Sequence, residues 1–294
     1  MTIWLGYALG DMVLIGLAAV MAKSAVKKNN SNLAAALWGI LLLIFSIVMV
    51  NMTATGQKLT GIGARSWLFL ILSGLSMGGA WLCLFRSLRT GEAIKIVPVY
   101  LSNHILAMLI RVIMFHKRYS SNQWIAMALL AIGTVLIALH SGKSKRGGYT
   151  WLWFALLSAL LACASTILTE YGVSGVNEYV SLSIRTAAAL VVAITATAAV
   201  GGKTFRSMTF PDGMMICFSG AAVGGSWICY HRALALGPDA VVTHMDRLSV
   251  LAVLIFGCIF LRERLSLRAV IGYVFVVCGV FLMLLQTPLL ELLV

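Results

Sequence analysis

The stretch GGAWLCLFRSLRTG, Gly78 to Gly91, returns as GGSWICYHRALALG, Gly224 to Gly237. Seven of the fourteen positions are identical, and the copies lie 146 residues apart in a chain of 294. At the same offset, without gaps, the match extends to Ser73/Ser219, Gly74/Gly220, Ser120/Ser266 and Gly133/Gly279. An offset of 147 pairs Trp4 with Trp151 and Ala8 with Ala155. Apolar segments resemble one another by chance, but chance rarely sets Trp, Cys, Arg and Gly in one register. The chain reads as a duplication.

Residues are 61% hydrophobic and 11% charged, with a mean hydropathy of +0.99. A water-soluble domain carries roughly a quarter charged residues. So little polar surface cannot cover a globule in water, and the bilayer must act as solvent. Five apolar runs of spanning length occupy the first half: Trp4–Ala22, Leu33–Met52, Trp67–Phe85, Ile94–Phe115 and Asn122–His140. Five more occupy the second: Tyr149–Glu170, Tyr179–Val200, Gly213–Tyr230, Ala240–Leu261 and Ser266–Gln286. Only helices satisfy their own backbone in lipid at this spacing. The expected fold is an all-α polytopic membrane protein, ten transmembrane helices in two five-helix repeats, 1–142 and 143–294. Five is odd, so the second repeat enters the membrane from the opposite face. Inverted repeats typify secondary transporters and place the substrate site near the midplane, between the halves. Trp4–Ala22 lacks a basic n-region and reads as a span rather than a cleaved leader.

The net charge of +13 is scattered singly and in twos and threes between apolar runs, a topology signal rather than a nucleic-acid surface. No nucleic-acid partner is expected. Fourteen Lys and Arg residues, from Lys23 and Arg86 to Arg262 and Arg268, fall on one side, against Lys58, Arg65, Lys117, Arg118 and Arg232 on the other. The positive-inside rule puts the richer side in the cytoplasm of a bacterial-type cell membrane and both termini outside. The six cysteines all lie in apolar runs, with no CxxC pair and no histidine at zinc spacing, and read as buried small hydrophobes. Neither metal nor cofactor is expected.

An ionisable group inside a span costs about 2.5–3.5 kcal/mol on insertion scales and so asks for a partner or a wet cavity. Asp11 is either a proton-coupling carboxylate or a hydrogen-bonded structural aspartate. Asp246, with His244 and Arg247 beside it, either lines a cavity or anchors a helix end. Arg185 either binds an anionic group or ties helices together, through Glu170 or Asp246. Tyr100, Asn103, His104, Ala107 and Arg111 recur as one helical stripe and suit a cavity wall. Trp81 and Trp227 are aromatic walls of a site or interfacial anchors. Arg86 and Arg232 read as snorkelling span ends. Gly74-xxx-Gly78 and Gly220-xxx-Gly224 carry the spacing that lets helices approach closely in lipid.

The segment RALALGPDAVVTHMDRLSVLAVLIFGCIFLRERLS, Arg232 to Ser266, resembles the drug/metabolite transporter (DMT) superfamily in its ten-helix EamA-like branch. It carries that branch's Arg-Ala-Leu start, Gly-Pro turn and "FLGE"-like exit, with Arg262 in place of the exit glycine and Glu263 kept. The first half exits on His116 and Lys117 instead, and sets Pro98 and Tyr100 opposite His244 and Asp246. An arginine at Arg185 resembles one found in the second helix of EamA repeats. The resemblance implies a secondary active transporter, not an enzyme. It would export or exchange a small polar metabolite such as an amino acid by alternating access, with protons as coupling ions. Its partners would be that small-molecule substrate and the lipid bilayer, its state monomer or homodimer. A flippase for a phospho- or lipid-linked headgroup is the nearest alternative; it would hold phosphate on Arg111 and Arg185 and open laterally to lipid. An integral-membrane enzyme would want a clustered nucleophile, a carboxylate pair or an HExxH set, and the sequence displays none.

Overall fold

A computed structural model describes residues 3–26, 30–52, 61–139, 149–173, 175–200, 208–263 and 265–284. The division at 142/143 and nine of the nineteen lysines and arginines that set the topology, Lys58, Lys143 and Arg206 among them, lie outside the described residues. The described chain is helical: α1 (Ile3–Val26), α2 (Ser31–Met52), α3 (Ala64–Thr90), α4 (Ala93–Leu101), α5 (Asn103–Phe115) and α6 (Ser121–Leu139) form the first half. The second half comprises α7 (Thr150–Gly172), α8 (Glu178–Val200), α9 (Phe210–Leu236), α10 (Asp239–Asp246), α11 (Ser249–Phe260) and α12 (Leu267–Leu284). Nine helical segments among the described residues are long and apolar enough to cross a membrane, with α4 and α5 counted as one, and α11 is a shorter apolar helix. These account for the ten spans, arranged as two inverted five-helix repeats.

Two of the spans are not continuous. The fourth breaks at Ser102 and the ninth at Arg247–Leu248, and Ser102 and Leu248 are equivalent at the offset of 146. Pro98 prepares the first break. It has no N–H to give Ile94, four residues back, and the Ile94 carbonyl instead accepts the Tyr273 hydroxyl at 2.5 Å. The Ser102 amide then splits between the carbonyls of Pro98 and Val99, while its hydroxyl bonds Val99 O at 2.6 Å. The second break has no proline; a tight Leu248 N–H to Met245 O bond turns the chain. Broken helices at matching places in two inverted repeats mark the centre of a transporter fold.

The repeat also governs the packing. α3 lies along α7 and α8, and its counterpart α9 lies along α1 and α2, while α6 packs on α12. Ser73 Oγ donates to Ser165 O at 2.8 Å, and the equivalent Ser219 Oγ donates to Ala18 O at 2.8 Å. A Cβ on Gly91 would meet Trp151 at 2.8 Å, and one on Gly237 would meet Trp4 at the same distance. The doubled glycine pairs are close-approach points, as their spacing requires: Gly74 and Gly78 face α8, and Gly220 and Gly224 face α2. Without a hydrophobic drive between helices in lipid, such contacts are what hold the bundle together. Large apolar side chains point outward accordingly, among them Phe210, Leu267, Trp153 and Ile113, each over 70% exposed. The cysteines depart from expectation. All six are free, but only Cys163 is buried, and Cys217 and Cys278 face outward; in a lipid-solvated protein an apolar residue need not be inside.

The exits from the two broken spans share one more feature. His116 and Arg262, equivalent at the offset of 146, are the described non-glycine residues with positive φ, at 49° and 52°. The left-handed region costs an L-residue roughly 1–2 kcal/mol, which explains why glycine suits this position. Both side chains are exposed, so little contact would be lost on removing them. Arg262→Gly and His116→Gly are each expected to stabilise the protein by about 0.5–1 kcal/mol, read as a higher Tm in detergent. A lower Tm would show that the side chains carry contacts outweighing the backbone strain.

Candidate functional site

The interior face of α1 is made of small residues, Ala8, Gly16, Ala18 and Ala22, with Asp11 among them. Asp11 is only 2% exposed. Ser226 of α9 donates to its Oδ1 at 2.7 Å. The second carboxyl at this point is Asp246, at the end of α10, close enough to Asp11 that the charge on each bears on the other. Tyr100, at the end of α4, is an electrostatic neighbour of both Asp246 and Arg185. Tyr230 bonds the Thr243 hydroxyl at 3.3 Å and feels both carboxyls. Of the residues singled out in the sequence, Asp11, Tyr100 and Asp246 are thus neighbours near the helix breaks, with Arg185 an electrostatic neighbour of Tyr100.

The remaining candidates are placed differently. Arg185 is held by neutral groups: Nε donates to Ser73 Oγ at 2.9 Å, Nη2 to Ser165 Oγ at 3.2 Å and to Met77 Sδ at 3.8 Å. It ties α8 to α3 and α7, through those groups rather than through Glu170 or Asp246. Trp81 is 4% exposed and stands edge-on to Trp38, with ring centroids 5.1 Å apart; Trp227 packs on the same cluster. Trp81 is thus buried in the bundle and Trp227 partly so. His244 belongs to α10, but its side chain is outside the described ones. The break at Ser102 removes Tyr100 from the stripe, while Asn103, His104, Ala107 and Arg111 remain together on α5. Asn103 turns back to the Tyr100 carbonyl at 3.0 Å, Ala107 is packed with Cys163 and Ile167, and Arg111 forms an ion pair with Glu170 of α7. His104 lines a separate small cavity with Arg247.

One end of the bundle is clasped shut by groups that the sequence did not single out together. Lys23, at the end of α1, donates to the carbonyls of Leu88 and Gly91, where α3 stops. Glu263, after α11, accepts the amides of Ala93 and Ile94, where α4 starts, each at 2.9 Å. A cation on a helix C-terminus and an anion on a helix N-terminus are the favourable placements. Burial pushes the Glu263 carboxyl up from the ordinary glutamate value, while the two amides and Lys23 pull it back. At the opposite end the equivalents of Lys23 and Glu263 are Glu170 and Lys117, and the charge pattern is reversed. There Glu170 is paired with Arg111, and Lys117 is exposed.

The EamA-like transporter family matches this chain twice, over residues 2–139 and 149–285. A Sinorhizobium protein described as an "Uncharacterized transporter in cobO 3'region" is 37% identical over 136 residues, 46% of this chain and 96% of that protein. A solved crystal structure superimposes with a TM-score of 0.65 at 15% identity, covering 97% of this chain and 99% of that one; at that identity the likeness shows the fold alone. Two family matches account for both halves of a chain whose ten spans form an inverted repeat: the protein is a multi-pass membrane protein of the EamA-like transporter family, in the DMT superfamily.

Proposed function

We propose that the protein is a proton-coupled secondary transporter that exports or exchanges a small polar metabolite of the amino-acid type by alternating access. The observation that carries this reading is the Asp11–Asp246 pair. It joins a helix of the first half to the broken helix of the second, so its protonation is linked to how the halves sit together. A charged pair there would need water or a countercharge, whereas a shared proton lets it stay buried. The ends of α4 and α10 bring Tyr100, Tyr230 and Thr243 to the same place, polar groups suited to orienting a substrate with both an ammonium and a carboxylate. The clasp on the Lys23 end is the gate of one access state. The richer share of basic residues on that end, Arg86, Arg89, Lys95 and Arg268 included, supports placing it in the cytoplasm, with the termini outside.

The test is reconstitution of the full chain into liposomes loaded with unlabelled amino acids, followed by uptake of a labelled amino-acid mixture. Counterflow that an outward proton gradient, with the liposome interior acidic, converts into accumulation is the expected outcome, because an exporter driven by proton entry exchanges substrate for protons. Counterflow indifferent to the gradient would remove the proton from the reading, and none with amino acids would remove that substrate class.

A further inference from the structure

Among the described residues, three guanidinium groups lie inside the bundle, and two have their partners. Arg111 is paired with Glu170, and Arg185 is held by two serines and a methionine. Arg247 differs. The one hydrogen bond that its guanidinium makes among the described residues runs from Nη1 to the thioether of Met283, at 2.9 Å. Its opposite-charge neighbour is Asp246, and Arg111 is a like-charged one. The Asp246 carboxyl is already engaged with Asp11. A guanidinium has five donors, and a single hydrogen bond leaves most of those on Arg247 facing the space beside it. Those donors border a cavity of about 30 Å³ lined by Arg247, His104, Ser102, Ile105, Met108 and Thr134 with apolar neighbours. His104 makes no hydrogen bond within the described chain and stands on the same cavity wall.

This cavity is not sealed from the membrane. Ser102, Ile105 and Thr134 also line a second, much larger space of about 750 Å³ between α5, α6 and α7. Its other walls are apolar, Leu109, Val135, Trp153 and Leu156 among them, and those four side chains face outward. The inverted repeat explains why the space exists on this side. On the opposite side α1 comes down on α11 because Gly16 admits Ala252, where a Cβ would be 2.5 Å away. The equivalent residues on α7 and α5 are the bulkier Cys163 and Leu106, and those helices approach each other less closely than α1 and α11 do.

We propose that this groove and cavity form a lateral binding site for a membrane-borne anionic amphiphile. The anionic group sits on Arg247 beside His104, and the apolar chain runs past Ser102 and Thr134 and out between α5 and α7. The charge at the inner end and the apolar walls at the outer end select both parts of the ligand. A neutral lipid would leave the guanidinium unmet, and a free aqueous anion would gain nothing from the groove. The ligand does not touch Asp11 or Asp246, although their engagement with each other is what frees Arg247 for it.

The experiment uses the full chain in phosphatidylcholine nanodiscs and a dodecyl phosphate that carries a diazirine on its chain, with the matching dodecanol as the neutral probe. Photolabelling mapped by mass spectrometry should place the phosphate probe saturably on α5, α6 and α7, well above the alcohol. Arg247→Gln should weaken that labelling by about tenfold or more, as loss of a charge-assisted bond does. Leu156→Trp, a substitution on the lipid face that fills the groove, should reduce it as well, with gel filtration confirming that both variants remain folded. Equal labelling by the alcohol would identify ordinary surrounding lipid and overturn the proposal. So would unchanged labelling of either folded variant, or competition by inorganic phosphate as strong as that by dodecyl phosphate. Counterflow of amino acids is a separate readout, expected to persist in Leu156→Trp, and its absence would count against the transport reading while leaving the labelling result intact.

Discussion

Asp246→Asn and Asp11→Asn are each expected to abolish proton-driven accumulation while leaving the protein folded and able to exchange substrate at equal pH. The amide is nearly the size of the carboxyl. In Asp11→Asn the new side chain still offers an oxygen to the Ser226 hydroxyl, which now bonds Asp11 Oδ1 at 2.7 Å, and still has a hydrogen to give its partner across the halves. What the amide cannot do is exchange a proton with water over the transport cycle. A gradient of one pH unit is worth about 1.4 kcal/mol per proton, roughly a tenfold accumulation ratio. Each variant should bring that ratio to about one. The measurement is labelled-substrate uptake into liposomes with and without an imposed pH difference, beside counterflow at symmetric pH. Two variants that accumulate like the parent protein would remove the pair from the coupling mechanism. A variant that loses both readouts while eluting as a folded protein would make the residue a substrate-site group instead.

Gly78→Leu is expected to be the most damaging single change in the packing. A Cβ at position 78 would lie 2.6 Å from the Ala189 carbonyl oxygen, and one at Gly74 would lie 2.4 Å from that of Arg185. Those are main-chain atoms of α8, which cannot rotate away, so the whole helix must move. Overpacking costs about 1–3 kcal/mol where side chains can adjust, and this site should stand at or beyond the top of that range. The double variant Gly74→Leu/Gly78→Leu should fail to elute as a single species from detergent. Gly224→Leu in the other half should be milder, because its clash is with the Phe45 ring, a side chain able to turn. Gly6, with open space around its position, supplies the control: Gly6→Leu should change stability by no more than about 0.5 kcal/mol. Thermal unfolding followed by size-exclusion elution measures all four.

Much of the architecture is legible in the sequence because the duplication puts rare residues in register. Trp4/Trp151 and Gly91/Gly237 can be paired on paper, and the fold then packs each tryptophan on the other pair's glycine. The span breaks are legible only in part. Pro98 announces the first, but the second falls in a run with no proline, where only the repeat itself could serve as the guide. The site is harder to read for a related reason. No two carboxylates stand close along the chain as a pair, whereas the fold makes one from Asp11 and Asp246, on different halves. Periodicity also misleads. Tyr100 shares a face with His104 and Arg111 only if the helix is continuous; the break at Ser102 turns Tyr100 toward Asp246, while His104 and Arg111 stay neighbours on α5, beside Arg247 and paired with Glu170 respectively. Glu263 is visible as a family letter, but its partners, two amides at the start of α4, are backbone groups that no residue pattern displays.

The reversed charges at the two ends of the bundle bear on the cycle as a whole. Perfect inverted symmetry would make the two access states degenerate, since each would be the other turned upside down. This chain lifts the degeneracy. A lysine can grip the carbonyls that end α3, but a glutamate at the same place on the other end cannot grip those that end α9. A glutamate can cap α4, but Lys117 meets the start of α10 with the wrong sign for amides. The mirror-image state therefore has to be latched by different bonds of different strength. Under the proposed alternating access, the resting orientation of the empty protein would then be set in the exits and helix ends, away from the residues that would touch a substrate.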